Sequence, residues 1–139
     1  MSTKKILVVD DNPVIVKGLA LKLKSAGYEV LEAEDASSAF KVVREHDPDL
    51  LILDINFPAD INMTWDGFTV MQWLERLWQD TQKPKPVIII TGEESPKYED
   101  RAKAAGAVAF FRKPVDNAEL LKVVARTLDA KDSASKPAA

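Results

Sequence analysis

The sequence predicts an open, doubly wound α/β domain built on a five-stranded parallel sheet. Two observations carry that prediction. Short apolar runs alternate with longer amphipathic stretches five times along the chain, the pattern of strands joined by crossover helices. Three of the runs, Ile6–Val9, Leu50–Leu53 and Val87–Ile90, are apolar at every position. Continuous runs of this kind suit parallel strands covered on both faces.

The elements follow in order. Ile6–Val9 is the first strand, and Asn12-Pro13 after it places a capping side chain before a proline at the first helical position. Gly27 ends that helix. Glu29–Ala33 is the second strand, and its partial alternation predicts an edge position. Asp35 caps the second helix, and Leu50–Leu53 is the third strand. The third helix contains Val70, Met71, Leu74, Leu77 and Trp78 on one broad face, which puts Trp78 at the core and leaves Trp73 more exposed. Val87–Ile90 is the fourth strand, and Ser95-Pro96 repeats the capping device at the start of a fourth helix, Pro96–Ala105, which offers the core mainly alanines. Gly106 stops it, Val108–Phe111 is the fifth strand, and Asp116 with Glu119 resembles a capping box at the start of the last helix. One domain is expected over residues 4–129, with an Ala/Ser/Lys/Pro-rich, disordered tail at 130–139.

Composition narrows the function classes. A hydrophobic share of 46% in 139 residues supports a sizeable core, and charged residues at 29% nearly balance to a net −3. No basic surface is predicted, so direct nucleic-acid binding is not expected. Cysteine is absent, which excludes disulfides and thiolate metal sites. The apolar run after Met1–Lys5 is too short for a signal peptide or a membrane span, so the cytoplasm is the expected compartment, without membrane insertion.

The chemistry gathers where strands end. Asp10-Asp11 follow the first strand, Asp54 the third, Thr91 the fourth and Lys113-Pro114 the fifth. In an open α/β sheet, ligands bind beyond the carboxyl ends of the strands, so these residues converge on one edge. Several carboxylates in one pocket repel, by roughly 4 kcal/mol per pair at about 4 Å and an effective dielectric near 20. A single aspartate of this kind is most simply a solvated strand end or a cap. The set together suits a hard divalent cation, with Mg²⁺ the natural choice and Mn²⁺ able to substitute. Lys113 and the Thr91 hydroxyl add groups that favour an anion. Such a site takes a divalent ion and a phosphoryl group together, with an aspartate as acceptor.

In these motifs the chain resembles the receiver domain of two-component response regulators. The resemblance rests on Val9-Asp10-Asp11-Asn12, Asp54, Pro58, Asp66-Gly67, Thr91-Gly92 and Lys113-Pro114, in that order and on the elements where the family has them. It implies a flavodoxin-like strand order 2-1-3-4-5 with five helices. It also implies that Asp54 is the phosphoacceptor and that Asp11, Asp54 and the Asn56 carbonyl hold Mg²⁺, with Asp10 acting nearby or through water. Lys113 would pair with Asp54 or the phosphoryl oxygens. Thr91 and Phe110 would form the switch, and Asn56 and Glu93 would tune the lifetime of the label. The implied donor is a histidine kinase or a histidine phosphotransfer protein. The implied output is a changed helix-four and strand-five surface that acts on a protein target or a separate output domain, with homodimerisation an open option. The domain would catalyse its own phosphotransfer and dephosphorylation without being a conventional enzyme.

The pattern departs from the family at one place: Asp66-Gly67 stands farther from Pro58 than usual, with Ile61, Met63 and Trp65 in the added segment. Either that insertion packs on itself, or it contacts a partner or covers the site. Two other protein classes share parts of the pattern. A haloacid-dehalogenase-like phosphatase also uses Asp, Thr, Lys and Mg²⁺, but the acidic pair expected after its lysine is missing. A flavin-binding protein of this architecture would need a phosphate-cradling loop where this chain has Asp10-Asp11-Asn12-Pro13. An unphosphorylated receiver-like module remains a third reading. His46, the single histidine, reads as a solvated helix end, and Glu32 and Glu34 as surface charge.

Overall fold

The computed structural model describes residues 3–10, 12–54, 72–78, 85–91, 100, 102–104, 106–112 and 115–135. Five parallel strands, β1 (Lys5–Val9), β2 (Glu29–Ala33), β3 (Leu50–Asp54), β4 (Val87–Thr91) and β5 (Ala109–Arg112), form one sheet in the order β2-β1-β3-β4-β5. The partly alternating β2 is an edge strand, as its sequence predicts. Five helices connect and flank the strands. They are α1 (Pro13–Ser25), α2 (Ala36–His46), α3, described over 72–78, α4, described at 100 and 102–104, and α5 (Asn117–Ser135).

Strand periodicity divides the core in two. Leu7, Val9, Leu51, Leu53, Val87 and Ile89 meet Ala39 and Val43 of α2, Leu74 and Trp78 of α3, and Ala102 of α4. The alternate residues Ile6, Val8, Leu50, Ile52, Ile88 and Ile90 meet Val16, Leu19 and Leu23 of α1 and Leu120, Val124 and Leu128 of α5. Helices on both faces explain why β1, β3 and β4 are apolar at successive positions. β5 is less covered: Ala109, Phe110 and Phe111 are half-buried and Arg112 is exposed. Trp78 is buried and Trp73 exposed, with the Arg76 guanidinium 5.5 Å from the Trp73 ring centre.

Local chemistry sets the helix ends. The Asn12 side chain accepts from the Val14 N–H, Asp35 from the Ser38 N–H (2.7 Å), and Asp116 from the N–H groups of Ala118 and Glu119. Gly27 at φ 98° follows α1, and Gly106 at φ 93° follows α4. Asp47 closes α2 in the left-handed region (φ 46°) and pairs with Lys85 at 3.5 Å. His46 is exposed on the last turn of α2. The expectation of a disordered tail from Ala130 is corrected over its first residues, because α5 continues through Ser135. Alanine and lysine at 130, 131 and 134 carry enough helix propensity to extend an already nucleated helix. Among the described residues, no helix is long and apolar enough to cross a membrane.

Ile52 is fully buried in the central strand, under α1 and α5. Ile52→Ala is expected to lower the unfolding free energy by about 2–5 kcal/mol in urea titrations. Val108→Ala, at a half-exposed position, should shift the same midpoint far less.

Candidate functional site

β3 lies in the middle of the sheet and ends at Asp54. Val9 is paired with Leu53, so the next residues, Asp10 and Asp54, stand level with each other at the carboxyl edge of the sheet. On the other side Asp54 is paired with Ile90, and Thr91 follows one step later. Adjacent strands are about 4.8 Å apart, so three neighbouring strands deliver two carboxylates and a hydroxyl to one edge. Asp10 and Asp54 are 1% exposed and Thr91 0%. Among the described residues these three are the buried polar or charged side chains. The sequence reading ended the third and fourth strands one residue earlier; pairing carries β3 through Asp54 and β4 through Thr91, which fixes both to the sheet.

Asp10 is held from two directions. Its N–H donates to the Ala33 carbonyl (3.1 Å), extending the β1–β2 ladder by one residue. Its Oδ1 accepts the Asn12 N–H at 2.9 Å. Asn12 in turn caps α1 through its Oδ1 (3.0 Å to the Val14 N–H), and its carbonyl accepts from the Val16 N–H. One residue therefore ties the acid at the end of β1 to the first turn of α1. The sequence marks Asn12 as a cap; the second role was missed, although an aspartate two residues before a backbone N–H is the signature of an Asx turn.

A cleft of about 290 Å³ opens beside Asp10, lined by Pro13, Lys17, Glu32, Glu34 and Ser38 among others. Asp54 and Thr91 do not line it. Glu32 and Glu34, read from the sequence as surface charge, thus add to the negative field next to Asp10. On the other flank, Thr91 is paired with Arg112 and Ile89 with Phe110. Thr91 and Phe110 consequently share a face of β4 and β5, one pleat apart, and half-buried Phe110 packs on the core cluster that contains Ala102 of α4.

The donor set is all oxygen, as a hard divalent cation requires. If both carboxylates at this spacing are ionised, they repel by roughly 3 kcal/mol at an effective dielectric near 20, which a cation relieves. Asp10 and Asp54 therefore fit Mg²⁺. Among the described residues no group of three or more His, Cys, Asp or Glu is gathered as a metal site. Asp11, Asn56, Glu93 and Lys113 lie outside the described residues, as do Pro58, Asp66-Gly67, Gly92, Pro114 and the 59–65 insertion.

Comparison with known proteins agrees with this geometry. The family model for the response regulator receiver domain matches residues 6–125. Protein PilH of Pseudomonas aeruginosa is 31% identical over 121 residues, which cover 86% of this chain and 93% of that protein. The transcriptional regulatory protein PhoP of Escherichia coli is 30% identical over 117 residues. That match covers 84% of this chain but only 48% of PhoP, so the chain spans about half the length of that relative. Among solved structures, a CheY-like receiver domain protein from Methanospirillum hungatei superposes with a TM-score of 0.83 at 27% identity, covering 96% of this chain and all of the other. A match over most of the chain, with the acids and the threonine at the ends of the strands where the motif requires them, makes this protein a member of the receiver-domain family of response regulators.

Proposed function

We propose that the chain is a phosphorylation switch of a two-component relay that accepts a phosphoryl group on Asp54 from a histidine kinase or a histidine phosphotransfer protein. The observation that carries this reading is the buried Asp54 at the end of the central strand, with Asp10 level on one side and Thr91 one step along on the other.

The chemistry is a displacement at phosphorus. A carboxylate oxygen of Asp54 forms a bond to phosphorus as the bond to the donor imidazole nitrogen breaks, and the imidazole leaves with that electron pair. Asp11, Asp54 and the Asn56 carbonyl would hold Mg²⁺, or Mn²⁺ in its place, with Asp10 nearby. When bound, the ion supplies positive charge that offsets the carboxylates and the transferring oxygens. Lys113, next in sequence after β5, would pair with Asp54 or with the phosphoryl oxygens, and the Thr91 hydroxyl would donate a hydrogen bond to those oxygens, worth about 1.5–3 kcal/mol for a charged acceptor. Attack by water on the acyl phosphate resets the switch. The protein thus promotes its own labelling and unlabelling and is not a conventional turnover enzyme.

The output follows from the shared face of Thr91 and Phe110. Drawing the hydroxyl toward the phosphoryl group vacates space that the half-buried ring can take, and the α4–β5 surface changes for a protein target or a separate output domain. Direct nucleic-acid binding and membrane insertion form no part of this reading. It places the chain in the cytoplasm with its kinase, as a monomer or a homodimer.

Intact mass after incubation with acetyl phosphate and Mg²⁺ is the first test. The wild type should gain one phosphoryl group, Asp54→Ala none, and chelation should abolish the gain. A label that survives Asp54→Ala means a different nucleophile. Asn56 and Glu93 predict fairly rapid loss of the label once the donor is removed; persistence for many hours contradicts that assignment. A second expectation concerns stability. Asp54→Asn removes one of two adjacent buried negative charges, so the metal-free protein should become more stable by about 1–2 kcal/mol, read as a rise of a few degrees in Tm. The same variant should lose most of the stabilisation that Mg²⁺ gives the wild type. A lower metal-free Tm would show that Asp54 is not strained by its neighbour.

A further inference from the structure

The hydrogen bonds of Asn12 run in two directions. Its Oδ1 accepts the Val14 N–H at 3.0 Å and its carbonyl accepts the Val16 N–H at 3.1 Å, so the residue closes the first turn of α1. Its own N–H points back, donating to Asp10 Oδ1 at 2.9 Å. Asp10 and Asn12 thus make the same turn in tandem, each side chain accepting from the amide two residues on. Whatever holds the backbone of residue 12 also holds the donor that Asp10 sees. That backbone is extended, at φ −88° and ψ 108°, and the bond to Val14 keeps it there. Pro13 adds a fixed φ at the start of the helix.

Asp10 stands in a field that works against it. The carboxylate is 1% exposed and level with Asp54, and it borders a cleft also lined by Glu32 and Glu34. Acids on both sides favour turning an ionised Asp10 away from the pose that presents it to a cation. Lys17 lines the same cleft and offers an ammonium as a competing partner. The Asn12 N–H opposes both tendencies, because a hydrogen bond to an ionised acceptor is roughly twice as strong as one between neutral groups. Its direction is set by the main chain, so it orients Asp10 only while the cap on α1 is closed.

We propose that Asn12 is a positioning residue for the divalent cation: by capping α1 it fixes the amide that orients Asp10, which couples metal affinity to the first turn of the helix. The proposal rests on the Mg²⁺ reading of the paired acids. Calorimetric titration with Mg²⁺ tests it without any phosphodonor. Asn12→Ala should lose a few degrees in Tm and bind Mg²⁺ about threefold to tenfold more weakly. Asn12→Ser, which restores an oxygen cap, should bind within about twofold of wild type. Ile6→Val, a core truncation near the far end of β1, should lower Tm comparably and keep wild-type affinity. Coupling is reciprocal, so Mg²⁺ should slow hydrogen exchange of the wild-type Val14 amide several-fold. Affinity unchanged in Asn12→Ala would overturn the proposal, as would equal weakening in Asn12→Ser or in Ile6→Val. So would a Val14 amide whose exchange ignores Mg²⁺. A wild type that binds no Mg²⁺ would instead overturn the metal reading itself.

Discussion

Because β3 is hydrogen-bonded on both sides, its register with β1 and with β4 decides what meets at the carboxyl edge. A slip of one residue in either pairing would carry Asp54 away from Asp10 or Thr91 and turn alternate side chains to the wrong face. The slip is opposed by packing, since Leu51 and Leu53 belong to one core cluster and Leu50 and Ile52 to the other. The apolar strand interiors thus do more than stabilise the domain. They hold three polar groups in a fixed relation to one another without any direct bond between those groups being required.

That arrangement opposes stability and function. Two buried carboxylates side by side, if ionised, are unfavourable in the absence of a cation, whereas the same acids at the surface would be screened by water. The surrounding structure offsets the local penalty. The strands beneath the acids are buried on both faces, and the loop after β1 is braced by Asn12, which bonds to Asp10 and to α1 at once. Among the described residues the buried acids stand at one edge of the sheet, and the strand interiors beneath them are packed apolar side chains.

Much of this is legible in the sequence, and the reasons differ by element. ILVV, LLIL and VIII announce buried parallel strands because burial on two faces removes the polar alternation. Asn12, Asp35 and Asp116 announce helix starts because a short oxygen-bearing side chain satisfies backbone N–H groups there. Trp73 and Trp78 separate correctly by helical phase. What escapes is set by backbone pairing or by distance in the chain. Asp54 and Thr91 look like residues after a strand because they are polar, yet the ladder continues through them. The link from the Asn12 N–H to Asp10 involves a backbone donor that composition does not reveal. The extension of α5 through Ser135 was missed because an Ala/Ser/Lys-rich stretch is compatible with helix when one already leads into it. The glutamates beside Asp10 are brought there by β2, which pairs with β1 from a distance in sequence.

The uneven covering of the sheet has a mechanical meaning. β3 and β4 are buried at every position, whereas β5 is only half-buried along its length and ends in an exposed arginine. At the opposite end of the strands, the Lys5 N–H donates to Asp49 Oδ2 and the Asp49 N–H to the Lys5 carbonyl, each at 2.8 Å, which clamps β1 to the start of β3. The sheet is thus held most firmly at its centre and at its amino end, and both of its margins, β2 and β5, are less covered. Less covered elements yield more readily than core strands, so a disturbance at the carboxyl edge meets less resistance sideways, toward the margins, than lengthwise down the strands. The gradient runs from the centre outward, as a plate clamped along its middle bends at its free edges.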